Sequence, residues 1–445
     1  MSTPQEQQPN QKRIMALLAE ESQLPTEARD SNVATRSHQV LSGPLRSVPG
    51  GCGHEQTGLA GSGTVGAERP MAEHLISAQQ IKFRRQLLLV AACATATPSL
   101  IACSSSDTEQ SAARALRSPG LPSSGTAARQ MQDLVRQAVL APSSHNTQCW
   151  RFQIAEKSIS IAPDLTRRCP AVDPDDHHLF VSLGCAAENL VHAALAAGLH
   201  AEPHFDPIGD GLIAVNLAPT QKRESPLFQA IVERQCTRGD YDAQPISPAE
   251  LRLLEQAGTG AGVSVRLLAT RPLMESVLEY VVAGNTAQMI DAAFVEELTA
   301  WIRFGTDEAL RTGDGLFAGA SGNPALPRWL GRRLMGLFFT PKSENERYAR
   351  QIRNSAGIAV FVSEHNDKAH WVEAGRCYER FALQATALGI RNAFLNQPVE
   401  VGAIRPQFAS WLGIEPQERP DLVVRFGRGP AMPLSMRRPV QAVLL

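Results

Sequence analysis

The sequence predicts an α+β sandwich in which helices surround mixed β-sheets, and three observations carry that reading. Short runs rich in Val, Ile and Leu, at 151–154, 159–161, 212–217, 263–268, 358–362 and 422–426, have the length and composition of strands. Longer stretches with apolar residues at helical spacing, among them 178–199, 274–285 and 289–303, lie between them. Of the 445 residues, 43% are hydrophobic, enough for a sizeable core. No GxGxxG or Walker segment occurs, so neither a Rossmann unit nor a P-loop is supported. The formal net charge of −1 leaves no broad basic excess and argues against a nucleic-acid partner.

From the start of the chain, residues 1–70 are rich in Gln, Ser, Gly and charge, the composition of a disordered extension. Lys82-Phe83-Arg84-Arg85-Gln86-Leu87-Leu88-Leu89-Val90 then sets two arginines ahead of an apolar run, and Leu100-Ile101-Ala102-Cys103 follows. The arginine pair resembles a twin-arginine export signal, and the last four residues resemble a lipoprotein box whose Cys103 is lipidated after cleavage. Secretion signals begin a chain, so Met71 is a candidate initiator and 1–70 an over-extended start. The expectation is a signal over 71–103, a flexible linker over 104–126, and an exported envelope protein held at the membrane through a lipid anchor. A cytoplasmic protein with an unused signal is the alternative. Pro98 and the modest length of the run argue against a permanent transmembrane helix.

The folded part begins with a helical pattern over 128–140 that Pro142 stops. Ser143, Ser144 and Asn146 therefore fall in a connection between this helix and the 151–161 hairpin. Small hydroxyls, amides and Trp150 in such a loop suit recognition of a planar polar ligand.

The A-P-S-x-x-N-x-Q-x-W pattern of residues 141–150 resembles the flavin-contacting loop of the nitroreductase-type FMN oxidoreductases, with Cys149 where the family usually has Pro. Arg234-Gln235-Cys236-Thr237-Arg238 follows a short amphipathic stretch, 226–233, and is similar to the family's R-x-[ST]-x-R phosphate clamp, with Cys236 replacing a hydroxyl residue. A helix over 373–388, stopped by Gly389, precedes Asn396 and Gln397, and a buried strand over 421–426 precedes Arg437 and Arg438. The resemblance implies FMN as cofactor, with Pro142, Ser143, Ser144 and Asn146 at the ring or ribityl chain. It places Asn396 and Gln397 at the N5–O4 edge, and Arg234, Cys236, Arg238, Arg437 and Arg438 at the phosphate. By composition alone, 234–238 also reads as a basic helix end facing its dipole, and 437–438 as a loose basic tail.

The loop and the clamp each occur once. Where a second loop would fall, the chain reads Gly258-Thr259-Gly260-Ala261-Gly262. This resembles the Acg-like branch of the family, a fused pseudo-dimer with half 1 over 127–222, half 2 over 223–445, and one flavin site at their interface. The implied chemistry is hydride transfer from NAD(P)H, or another electron donor, to the flavin and on to a small-molecule acceptor of nitro or quinone type. Such a pseudo-dimer can act as a monomer, and flavin chemistry calls for no dedicated catalytic acid or base. The competing reading is a non-catalytic flavin-holding protein in which the Gly-rich 312–340 segment, with Arg328, Arg332 and Arg333, folds over the ring as a lid.

The eight cysteines show no CxxC spacing. Cys185 and Cys377 sit on apolar helix faces and read as core, whereas Cys149 beside His145 is the rival, a thiolate nucleophile. His177 and His178 with Asp173, Asp175 and Asp176 have metal-binding donor types. Adjacent histidines seldom chelate one ion, so Asp-Pro-Asp-Asp is read as a helix cap and no metal is expected.

Overall fold

The computed structural model describes residues 110–117 and 127–445, and the readings of the N-terminal extension, the signal and Cys103 lie outside them. Helix α1 (Ala127–Ala138) buries Met131, Leu134, Val135 and Ala138, spaced three and four apart as one face requires. Strands β1 (Trp150–Ile154) and β2 (Ser158–Pro163), helix α2 (His177–Ala196), and strands β3 (Leu199–Asp206) and β4 (Leu212–Pro219) follow. Beyond a short helix, Pro226–Ala230, come α3 (Pro248–Gly258), β5 (Val263–Leu268), α4 (Arg271–Ile290), α5 (Ala292–Trp301), β6 (Ile302–Arg303), α6 (Thr306–Thr312) and β7 (Leu316–Phe317). The chain continues through α7 (Arg328–Phe338), α8 (Pro341–Arg353), β8 (Gly357–Ser363), α9 (Lys368–Ala387), β9 (Arg391–Phe394), α10 (Arg405–Leu412) and β10 (Arg419–Gly427).

These elements form a mixed α/β architecture with two sheet systems. One sheet runs β1-β2-β4-β3 and the other β5-β8-β10-β9. All their named strand pairs are antiparallel. Among the described residues, parallel pairing enters through β6 with β7 and through single bridges, Phe152 with Leu444 and Cys236 with Asn392. In the first sheet Ile159, Ile161, Ile213 and Val215 alternate with more exposed neighbours, so one face meets the core. In the second, β8 and β10 are buried along their whole length; β8 reads as a near-continuous apolar run, whereas β10 buries Arg419, Asp421 and Arg425 among its apolar residues.

Helices α2 and α9 pack against each other in the core. A Cβ on Gly184 would lie 2.0 Å from the Val372 carbonyl oxygen, and one on Gly375 would lie 2.0 Å from that of Val181. Helix α2 is long and apolar enough to cross a membrane, yet 83% of its most apolar window is buried inside the protein, so it is a core helix.

Three sequence expectations change. Strand β3 had no counterpart in the sequence reading, because Pro203 and outward-facing His and Glu residues hide it; its place at a sheet edge tolerates both. The patterns over 274–285 and 289–303 are longer or shorter than predicted, because Asp291 separates α4 from α5 and accepts the Ala293 amide at 2.9 Å. Within the linker predicted over 104–126, residues 110–117 are helical. Ala113 there is buried with Ala309, Phe317, Ala320 and Met436, so the segment docks on the fold.

Candidate functional site

The 139–149 connection holds three non-glycine residues in the left-handed region, His145 (φ 48°), Asn146 (φ 53°) and Gln148 (φ 55°). Such strain persists only where surrounding contacts over-determine it. Here they do. Ser143 Oγ accepts the Gln148 amide at 2.8 Å, and the Gln148 side chain donates to Gly313 O at 2.8 Å while accepting Arg438 N–H at 2.7 Å. The Asn146 amide donates to Gly315 O and Met436 O, at 3.0 and 3.2 Å, and its oxygen accepts Arg437 Nη1 at 3.0 Å. Asn146 is thus spent as a staple.

The arginines of the sequence reading divide into two groups. Arg437 donates to the carbonyls of Val139, Leu140 and Ala141 at 2.9, 3.0 and 3.1 Å, neutralising the negative end of α1. Arg234 reaches the Leu140 carbonyl at 2.9 Å and places Nε 3.1 Å from Glu379 Oε1, a Coulombic approach outside hydrogen-bond geometry. Burial pushes the Glu379 carboxyl up to about 7 against the pull of Arg234 and Arg437. Arg438 donates to Gln148 O and Ala442 O. Arg234, Arg437 and Arg438, expected at a phosphate, are instead engaged with backbone and an internal carboxylate. Arg238 differs: no hydrogen bond or ion pair engages its guanidinium among the described residues.

Arg238 lines a cleft, together with Pro142, Ser143, Ser144 and His145 from the loop. Helix α2 and the chain before it add Val172, His178, Val181, Ser182 and Cys185; Phe394, Asn396, Glu400 and Leu422 complete the wall. The cleft therefore draws on residues from both sides of position 222. The Asn396 oxygen accepts the Val423 amide at 3.0 Å, and its nitrogen lies 3.4 Å from His178 Nε2, which fixes the amide at the cleft edge. Burial, then Arg238 and His178, pulls His145 down to about 4, and burial also lowers His178. Both rings are neutral at pH 7, and burial raises the Glu400 carboxyl, so the lining's positive charge comes from Arg238.

Other expected residues lie elsewhere. Cys236 bridges to Asn392 through backbone, and Gln397 packs against Gly284; neither lines the cleft. No residue of 312–340 does either; the start of that segment is bound to Asn146 and Gln148. Cys149 is buried, and burial drives its thiol up to about 12, which leaves no thiolate for nucleophilic work. The acidic helix start does act as a cap, but through Asp173, which accepts the His178 and Leu179 amides at 3.0 and 2.9 Å; Asp176 makes no cap bond. Donor atoms of Asp173, His177 and His178 lie within 4.8 Å of one another, yet Asp173 serves the cap and His177 Nε2 meets Asp421 at 2.8 Å. Sequence reading missed His178 and Glu400 as wall residues. The only local signal was the polar His pair at the start of an otherwise apolar helix.

No family model matches the chain. Among solved structures, the FMN-dependent nitroreductase NfnB of Mycobacterium smegmatis in complex with NADPH is 14% identical, with a TM-score of 0.31 and coverage of 46% of this chain and 87% of that one. A nitroreductase with bound FMN from Desulfitobacterium hafniense is 16% identical, with a TM-score of 0.30 and coverage of 48% and 94%. Two proteins of Mycobacterium tuberculosis named as NAD(P)H nitroreductases are similar in sequence. Rv3131 is 25% identical over 279 residues, 60% of this chain and 76% of that protein. The protein named acg is 23% identical over 329 residues, 70% of this chain and 94% of that protein.

Proposed function

We propose that this distant homologue of the NAD(P)H nitroreductases is an FMN-binding oxidoreductase with a single flavin site in the cleft between the 127–222 and 223–445 portions. The observation that carries the reading is the meeting, in one cleft, of Ser143 and Ser144, beside the strained His145–Gln148 backbone, with a fixed Asn396 and with Arg238, which has no partner among the described residues. The chemistry of the lining fits the group. Arg238 offers a free forked cation for a phosphate, the serines offer hydroxyls, and Val172, Val181, Phe394 and Leu422 offer an apolar surface for a ring.

When bound, FMN supplies hydride transfer between an NAD(P)H-type donor and a small-molecule acceptor of nitro or quinone class. The chain's residues bind and orient. Arg238 anchors the anionic end, and the staples of Asn146 and Gln148 hold the loop so that Ser143 and Ser144 present hydroxyls at fixed positions. The neutral imidazoles of His145 and His178 border the cleft without adding charge. Stopped-flow mixing of FMN-loaded protein with NADH and with NADPH tests the catalytic part: bleaching of the oxidised flavin band with one donor is expected. Binding of FMN with no bleaching by either donor would assign the flavin-holding role instead.

The cellular placement rests on the sequence: Arg84 and Arg85 before an apolar run, and Cys103 after it, fit an exported lipoprotein of the cell envelope.

A further inference from the structure

Helix α7 has two unlike faces. Inward, Gly331 presses on Phe304, Arg328 pairs with Glu308, and Met335 meets Thr299. Outward, Trp329 and Leu337 are 71% and 60% exposed, high values for large apolar side chains, and Phe338, at the helix end and off this face, is also exposed. Arg332 and Arg333 are exposed beside Trp329, three and four residues along the same face, and the helix contains no acidic residue. Among the described residues neither arginine forms an ion pair.

We propose that this face of α7 docks on an anionic phospholipid surface, an inference that rests on the envelope-lipoprotein reading above. An amphipathic helix with an indole at mid-face and arginines beside it suits the interface: the ring sits at headgroup level while the guanidinium groups meet lipid phosphates. The position of the helix in the fold supports the same occupant. The stretch 304–320 that carries α7 through Phe304 and Glu308 also receives the 110–117 segment, through Ala309, Phe317 and Ala320. Cys103 precedes Gln110 by seven residues, a reach of at most about 25 Å. A second copy of this chain is a poorer partner, because a two-fold contact would set Arg332 and Arg333 against their own equivalents with no acid on the helix to answer them.

The test uses the full chain carrying Cys103→Ser, so that no acyl group contributes. Of the five tryptophans, Trp150 and Trp371 are buried and Trp301 and Trp411 half-buried, which leaves Trp329 as the exposed indole. Vesicles of brominated phosphatidylglycerol should quench its emission, and vesicles of brominated phosphatidylcholine should not. Trp329→Phe should remove the quenching, and Arg332→Gln with Arg333→Gln should weaken partitioning roughly thirty-fold, at about 1 kcal/mol per arginine. Equal quenching by both lipids, or quenching that survives Trp329→Phe, overturns the proposal. So does self-association that Trp329→Phe abolishes in the absence of quenching, which would give the face to a second copy. Incorporation of a labelled acyl chain, expected in the unaltered protein and lost in Cys103→Ser, tests the anchor separately, so the two readings fail independently.

Discussion

Arg234 and Arg238 are one motif apart and chemically identical, and their surroundings give them opposite work. Arg234 is buried against Glu379 and the end of α1, while Arg238 faces the cleft with no partner among the described residues. Arg238→Ala is expected to weaken FMN binding about 10- to 100-fold, the worth of a charged hydrogen bond, and to leave the urea midpoint unchanged. Arg234→Ala should lower stability by about 3–5 kcal/mol by stranding a buried carboxylate. The loss should grow with pH. Folded Glu379 titrates at about 7, above its ordinary 4.5, so its contribution is complete below 4.5 and is lost as pH rises through 7. Without Arg234 the carboxyl holds its proton more tightly still, so urea titrations at pH 5 and pH 8 should show the larger defect at pH 8. A loss of FMN affinity in Arg234→Ala at unchanged stability would reverse the assignment.

At the scale of elements, the α2–α9 crossing is set by glycines whose missing side chains let the backbones touch. Gly375→Ala should cost about 1–3 kcal/mol or more, since the neighbouring atom is backbone and cannot turn aside. Gly336→Ala on α7, with nothing within 4 Å, should instead stabilise by up to about 1 kcal/mol through helix propensity. Thermal melts of the two variants should move in opposite directions. Elements were legible where burial shows in composition: β8 and β10 read as strands from their Val and Ile content, whereas β3, polar and holding Pro203 at an edge, did not. The site follows the same logic. A local motif points to Ser143, Ser144, Arg238 and Asn396, and these face one cleft. The wall residues His178 and Glu400, and the inward turn of Arg437, depend on partners far along the chain, which local pattern does not encode.

For the whole molecule, the buried titratable groups work against one another. Burial pushes Asp173, Glu379 and Asp421 each up to about 7, so from these groups stability falls as pH rises from their ordinary values toward 7. Burial lowers His145, His177 and His178, so from these stability rises with pH until the unfolded imidazoles lose their protons near 6.5. The two sets oppose each other below pH 6.5, and the carboxyls dominate above it. Urea midpoints should therefore fall from pH 6.5 toward 7.5; a midpoint that climbs over that interval would contradict these protonation states. The distant partners of α1 and β1 carry one more consequence, for how the chain is made. Strand β1 lies at a sheet edge that Val443 and Leu445 cover through hydrogen bonds to Phe152, and the end of α1 waits for Arg437, 298 residues beyond Val139. At ordinary ribosome speeds that separation is roughly 15 to 60 s of synthesis. For that interval the nascent first sheet has an open edge able to recruit a neighbouring chain, so its safe arrival depends on being shielded while translation catches up.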